Sequence, residues 1–227
     1  MIEVTKNIVF DWNGTLLEDT DAIHACLNII LERVGHKTID IETYRDHYDV
    51  PFERFYKNFG LTDYEIEALE LHKNNFFHDH YEPRAAVAEL REGAAAILNH
   101  AHHNHVQSLI LSNHLVEPIR TQLRRHAIED MFTDVLAYAD RATQFRDMTK
   151  GERLRQFMVR HELKPDQTII VGDSIEEINI AHEQGLIGVA ITGGCVSEQR
   201  LQAAKPDYLI HSLYDLQPIL VERGFAT

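Results

Sequence analysis

An α/β fold with a doubly wound parallel sheet, plus an all-helical insert after the first strand, is predicted by three observations. Short apolar runs recur, each ending in a polar residue: Ile8-Val9-Phe10 before Asp11, Leu109-Ile110-Leu111 before Ser112, Val135–Tyr138 before Asp140, Ile169-Ile170-Val171 before Gly172-Asp173, and Val189-Ala190-Ile191 before Thr192. Unbroken runs of this kind mark strands buried on both faces. Helical patterns separate most of them, which is the alternation of a parallel sheet. Finally, the rhythm breaks between about Leu17 and Leu90, where the pattern reads as helix throughout.

In chain order, the first strand ends at Asp11 and is followed by a turn containing Gly14. Ile23, Cys26, Leu27, Ile30, Leu31 and Val34 keep helical spacing, with Thr20 or Asp21 as N-cap and Gly35 as stop. Pro51 opens a second helix through Phe59, closed by Gly60. Thr62 and Glu65 form a capping box for a third, expected to run to about Tyr81. The chain re-enters the main unit near Gly93. The expected division is therefore a core of residues 1–17 and 91–227 and a helical cap of residues 18–90, with linkers near 16–18 and 82–92.

Of 227 residues, 44 % are hydrophobic and 26 % charged, an ordinary globular balance, and the net charge is −14. That sign argues against nucleic acid as a partner. No apolar run approaches the ~20 residues that span a bilayer, so no membrane partner is expected. The N-terminal residues lack the pattern of a secretory signal, and cytoplasmic localisation is the expectation. The two cysteines, Cys26 and Cys195, have no metal-like spacing and read as free thiols. Among 15 histidines, His100, His102, His103 and His105 cluster in a tract that can bind transition metals, but it precedes a strand and so lies at the far end of the sheet from Asp11. His72, His78 and His80 fall in the last cap helix, on a face the sequence leaves open.

In doubly wound sheets ligands bind beyond the carboxyl ends of the strands. Asp11, Ser112 and Asp173 each follow a strand directly or nearly so and can converge there; with Lys150 they make four pieces. Asp11 sits at a strand end before a turn. Ser112-Asn113 offers a hydroxyl and a backbone N–H suited to a phosphate oxygen. Lys150 opens a helical pattern, where the helix dipole mildly disfavours a cation. Asp173, with Glu177 four residues on, can hold a hard cation such as Mg²⁺. Each piece alone has a plain reading: a turn cap, turn chemistry, a solvated lysine, acids at a helix start. Gly193-Gly194 lacks a surrounding phosphate-loop pattern and reads as a turn near the rim.

Together and in this order, the four pieces resemble the haloacid dehalogenase superfamily, most of all its phosphoglycolate-phosphatase-like branch with a helical cap. The resemblance spans nearly the whole chain. It implies an Mg²⁺-dependent phosphatase acting on a small phosphorylated metabolite. Asp11 would be the nucleophile that forms an aspartyl-phosphate. Mg²⁺ would be held by Asp11, the Asn13 backbone carbonyl and Asp173, with Glu177 in support. Ser112, Asn113 and Lys150 would contact phosphate oxygens. The Trp12 backbone N–H would help hold the phosphoryl group while its indole packs under the cap. Glu177 stands where the family more often has aspartate.

Asn13 is the larger departure. Family phosphatases usually carry aspartate two residues after the nucleophile, as general acid and base. A carboxamide does neither job, and such catalysis is typically worth ~10²–10⁴-fold. Three readings stay open: a slow phosphatase confined to good leaving groups such as acyl phosphates, a compensated enzyme in which His114, whose plain reading is an exposed loop histidine, supplies the proton, and an impaired phosphoryl-binding or regulatory protein. Haloacid dehalogenation is disfavoured because position 13 is not tyrosine, and a two-component receiver because of the helical insert.

Overall fold

The computed structural model describes residues 6–69, 76–144 and 148–226. Its elements are β1 (Asn7–Phe10), α1 (Thr20–Arg33), α2 (Ile41–His47), α3 (Phe52–Asn58), α4 (Asp63–Ala68), α5 (Phe76–Ala85), α6 (Ala94–His103), β2 (Gln107–Leu115), α7 (Val116–Arg125), β3 (Asp134–Tyr138), α8 (Arg141–Gln144), α9 (Lys150–Arg160), β4 (Thr168–Gly172), α10 (Ile175–Gln184), β5 (Ile187–Ile191), α11 (Glu198–Ala203), β6 (Tyr208–Ile210) and α12 (Leu216–Glu222).

The six strands form one parallel sheet in the order β3-β2-β1-β4-β5-β6. The all-parallel α/β sheet is the predicted fold class. Side chains alternate between its two faces, as the period of a strand requires. Ile8, Phe10, Ile110, Ile169 and Val171 join one core with α6, α7 and α12 through Ile97, Leu98, Ile119, Leu123, Leu216 and Leu220. Val9, Leu109, Leu111 and Ile170 face the other way, onto Leu154, Phe157 and Met158 of α9 and Ile180 and Ala181 of α10. Both faces are covered, which explains why the strands read as continuous apolar runs.

Helices α1–α5 build a core of their own, from Leu27, Ile30, Leu31, Tyr44, Phe55 and Tyr81 among others, with Cys195 contributed from beyond β5. Two passages of chain join this unit to the sheet and lie side by side. Leu17 and Leu90 form an antiparallel bridge, the Glu18 N–H donates to the Glu89 carbonyl and the Arg91 N–H donates to the Leu16 carbonyl, each at 2.8 Å. Arg91 then donates to the Gly14 and Thr192 carbonyls, and Arg45 of α2 donates to the carbonyls of Gly193 and Gly194.

Several expectations shift. The N-cap position of α1 falls on Asp19, whose side chain makes no capping bond because it is spent elsewhere. The Thr62–Glu65 capping box forms as expected, but α4 ends at Ala68; part of the expected third helix, and His72, lie outside the described residues. The helix α2 has too short a periodic stretch to be read in advance, as does the three-residue strand β6. The strand β2 continues through Leu115, so Ser112, Asn113 and His114 belong to its end rather than to a loop after it. Both cysteines are free and buried. Among the described residues no helix is long and apolar enough to cross a membrane.

Candidate active site at the carboxyl ends of the strands

The register of the sheet brings the polar residues together. Phe10 pairs with Ile110 of β2 and Val171 of β4. Asp11 therefore leaves the sheet beside the strands that carry Ser112 and Asp173, and its own N–H still donates to the Val171 carbonyl at 2.9 Å. The chain order reverses between β1 and β4, which is where a doubly wound sheet opens a crevice. A cavity of about 580 Å³ lies over this point, lined by Asp11, Asn13, Ser112, Lys150 and Asp173 below and by cap residues such as Phe77 and Tyr81 above.

Lys150 is the first residue of α9, behind a Thr149–Glu152 capping box. Its side chain runs inward and is only 3 % exposed, so the solvated-lysine reading fails. The ammonium donates to Asp11 Oδ1 at 2.8 Å and to Glu177 Oε1 at 2.5 Å. Burial alone would lower its pKa, but Asp11 and Glu177 outweigh burial and hold it above the ordinary lysine value. The other Glu177 oxygen accepts from the backbone N–H and hydroxyl of Ser174, closing the cap of α10. Asp173 accepts from the Thr15 hydroxyl at 3.0 Å and from the Cys195 N–H at 2.6 Å.

Ligand atoms of Asp11, Asp173 and Glu177 lie within 4.8 Å of one another, and all three residues are buried. Lys150 is one cation against three carboxylates. Burial is the chief cause that raises the pKa of Asp11, ahead of the opposing pull of Lys150; burial and the neighbouring Glu177 likewise raise Asp173. A buried excess of negative charge set among oxygen donors suits a hard divalent cation.

The turn after β5 belongs to this site. A Cβ on Gly194 would stand 2.1 Å from Asp173 Oδ2. Gly194→Ala must therefore displace the carboxylate or the turn that donates the Cys195 N–H to it. The expected result is a loss of about 1–3 kcal/mol of stability and a rise in the metal concentration needed for activity, read by thermal melting and by metal titration of the rate. A stable variant with an unchanged metal requirement would show that Asp173 does not need this close approach.

Around Asn13 the cap enters. Asp19, displaced from capping α1, accepts from the Gly14 N–H at 2.7 Å, from Asn13 Nδ2 at 2.7 Å and from the Tyr81 hydroxyl at 2.5 Å. Burial pushes Asp19 up to about 6, against the pull of Tyr81, Asn13 and Gly14. Asn13 Nδ2 also donates to the Tyr81 oxygen at 2.6 Å, and Ser112 Oγ donates to Asn13 Oδ1 at 3.3 Å. The amide is thus held on both ends.

The remaining expected residues divide. Asn113 directs its side chain to Glu176 and receives Arg153, so its amide is engaged away from Asp11. The Trp12 indole does not pack under the cap: it is fully buried in the sheet-side core and donates to Gln122 of α7 at 2.6 Å. His114 is not an exposed loop residue; it is 7 % exposed and lies against His78, Tyr81 and Glu82. The His100–His105 tract, at the opposite end of β2, is not among the groups of potential metal ligands that converge within the described residues. Sequence reading missed Thr15, Asp19, Tyr81, Glu82 and Cys195. Asp19 had a signal, since an acid just before a helix that is not needed as its cap is free for other work; the Cys195 contribution is a backbone N–H and leaves none.

A family model described as haloacid dehalogenase-like hydrolase matches residues 8–191. A phosphoglycolate phosphatase of Synechococcus elongatus is 26 % identical over 209 residues, covering 92 % of this chain and 94 % of that protein. A pyrophosphatase of Bacillus mycoides is 24 % identical over 226 residues, covering 95 % and 96 %. Among solved structures, a haloacid dehalogenase-like family hydrolase of Streptococcus pneumoniae superposes with a TM-score of 0.78 at 21 % identity, over 95 % of this chain and 98 % of that one. With Asp11 just after β1, Asp173 just after β4 and Lys150 bridging Asp11 to Glu177, the match places this enzyme: the chain belongs to the haloacid dehalogenase-like hydrolases.

Proposed function

We propose that the protein is a divalent-metal-dependent phosphatase of a small phosphorylated metabolite, working through an aspartyl-phosphate at Asp11 and restricted to good leaving groups. The observation that carries this reading is the buried cluster of Asp11, Asp173, Glu177 and Lys150 at the carboxyl ends of the strands. The relatives named as phosphatases support the reaction class. The cavity volume suits a small-molecule ligand. Residues 18–90 act as the cap over a core of residues 1–17 and 91–227.

Asp11 Oδ1 is held by Lys150, while Oδ2, which accepts no hydrogen bond among the described residues, is the oxygen that attacks phosphorus. The bond from phosphorus to the leaving oxygen breaks as the acyl-phosphate bond forms, and the electron pair departs with the leaving group. Lys150 and Ser112 offset charge on the phosphoryl oxygens. Water then cleaves the acyl-phosphate, which frees Asp11 and inorganic phosphate. Mg²⁺ fits the carboxylates: Asp11, the Asn13 carbonyl and Asp173 would hold it, and it would neutralise charge on the phosphoryl group. Glu177 suits the supporting position, because both its oxygens are already engaged by Lys150 and Ser174.

Asn13 limits the substrate. Its two amide hydrogens are directed to Asp19 and Tyr81, and neither can be given up as a proton. Departure of an alkoxide needs that proton; departure of a carboxylate or a phosphate needs it far less. In the second reading, favoured by the same residue, the site binds or retains a phosphoryl group without useful turnover.

The deciding experiment compares wild type with Asn13→Asp on acetyl phosphate, p-nitrophenyl phosphate and alkyl phosphates, after mass spectrometry has excluded deamidation at Asn13-Gly14. The new carboxyl meets Asp19, whose oxygen stands 2.7 Å from the present Nδ2. Like charges that close share a proton, so the variant gains an acid. The expected result is a gain of ~10²-fold or more on alkyl phosphates and little on acetyl phosphate. Wild-type hydrolysis of alkyl phosphates as fast as the variant's would sink the restriction. No turnover by either protein would favour the binding or regulatory reading.

A further inference from the structure

Two residues that line the same cavity, His78 and His114, form with Glu82 beside them a second group of metal-ligating side chains, contributed jointly by α5 and the sheet. We propose that His78, Glu82 and His114 form a site for a divalent d-block cation of the zinc type, separate from the carboxylate cluster at Asp11. The inference is independent of the proposed reaction.

His78 and Glu82 are one turn apart on α5 and therefore share a face. His114 comes from the end of β2. Glu82 Oε1 lies 3.0 Å from His78 Nδ1 and 3.3 Å from His114 Nε2. A tetrahedral zinc with ligands at 2.0–2.2 Å holds neighbouring donor atoms about 3.3 Å apart, so these pairs already stand near the spacing of one coordination shell. All three residues have a donor atom within 4.8 Å of the other two.

A second observation points to a ligand. His114 is more than nine-tenths buried and lines the cavity, yet among the described residues its Nε2 has no hydrogen-bond partner, only the ion-pair approach of Glu82. It approaches Glu82 without the alignment of a hydrogen bond. A buried donor or acceptor left without a partner costs free energy, and a metal between His114, Glu82 and His78 would satisfy it. The donor set names the class of ion. Two imidazoles and one carboxylate suit zinc and its neighbours, whereas magnesium takes oxygen ligands. The two sites in this cavity thus differ in chemistry: carboxylates around Asp11, mixed nitrogen and oxygen at His78.

The placement gives the site a consequence. A cation bound there joins α5 to β2 and so pins the cap to the sheet. Tyr81, which packs its ring edge-on to His114 with centroids 5.5 Å apart, reaches Asn13 with its hydroxyl. A cation on Nε2 also takes the lone pair that His114 would need in order to carry a proton, so metal binding and a compensating acid role for His114 exclude each other.

The test uses full-length protein stripped with chelator and then dialysed into excess Mg²⁺, titrated with zinc by calorimetry against a competing chelator, and with Co²⁺ followed by its visible absorption. One zinc per chain, bound with micromolar affinity or tighter, is expected in wild type and equally in Asp11→Asn. His78→Gln and His114→Gln should each weaken it by roughly 100-fold, the upper end of what even an outer-shell residue costs, and should abolish the cobalt spectrum. Each variant is checked for folding by circular dichroism; because the two ligands lie on different elements, a misfolded variant of one leaves the other to decide. A His102→Gln/His103→Gln variant should bind as wild type does. Binding weaker than millimolar in wild type, or zinc affinity that survives both ligand substitutions, would overturn the proposal, the latter by moving the ion to the histidine tract or the carboxylates.

Discussion

Asp11→Asn is expected to lower metal-dependent phosphate release from acetyl phosphate by roughly 10⁴–10⁶-fold, the range seen when a catalytic nucleophile is removed. The argument rests on position and surroundings together. Asp11 is the last residue before the turn, is buried, presents one oxygen to Lys150 and lines the cavity. The substitution keeps the shape, so the loss should be one of chemistry. Burial already penalises the Asp11 charge, and a neutral amide removes that cost; the melting temperature should not fall. The measurements are the rate with Mg²⁺ present, the melting curve, and capture of acyl-phosphate on the protein by acid quench and mass spectrometry. Retained turnover in the variant would mean another nucleophile. Lost turnover accompanied by unfolding would leave the role of Asp11 undecided by rate alone, and the acyl-phosphate measured on wild type would then settle it.

The largest effect on stability is expected from Lys150→Met. Lys150 is the cation at the centre of a buried cluster, bonded to Asp11 and Glu177. Its removal leaves three buried carboxylates facing one another. Breaking a buried pair by taking away one partner costs about 3–5 kcal/mol, because the remaining charge is uncompensated. Methionine fills much of the same volume, so the loss is electrostatic rather than a cavity effect. Adding Asp11→Asn to Lys150→Met should recover part of the loss, since one carboxylate is then neutral. The check is a double-mutant cycle by urea denaturation without divalent metal. Strictly additive effects would mean that the short Lys150–Asp11 distance carries no energetic coupling. Where folded protein can be obtained, turnover should fall ~10²–10³-fold through loss of a fixed charge at the phosphoryl oxygens.

The local signals that predicted this fold are of short range. Each strand is an apolar run because both sheet faces are covered, as the separate packing of Val9 and of Ile8 with Phe10 makes plain. Capping at Thr62 and Thr149 is decided within four residues, and is equally readable in the chain. The convergence of Asp11, Ser112 and Asp173 was legible for the same reason: in a parallel sheet every strand ends on the same side, so residues at strand ends converge wherever the helices go; Lys150, at the start of α9, joined them only through the family resemblance.

What required the tertiary structure is whatever depends on which distant segment arrives beside a residue. Asp19, passed over in the sequence for Thr20 or Asp21 as the cap of α1, became the anchor of Asn13 and Tyr81 because α5 folds across it. Trp12 stood next to Asp11 in sequence, yet the alternation of a strand end turned its indole into the core and onto Gln122. His114 read as exposed because β2 was expected to stop at Leu111; four further residues of strand carry it against three side chains of α5. By itself the sequence determined the sheet, the helical insert and the acidic and basic residues that meet at its edge, since these follow from periodicity and chain direction. Only the packing of α5 against the sheet end decided that Asn13 is held as an amide between Asp19, Tyr81 and Ser112, and that His78, Glu82 and His114 share one space, because those contacts join segments with no local signal that they will meet.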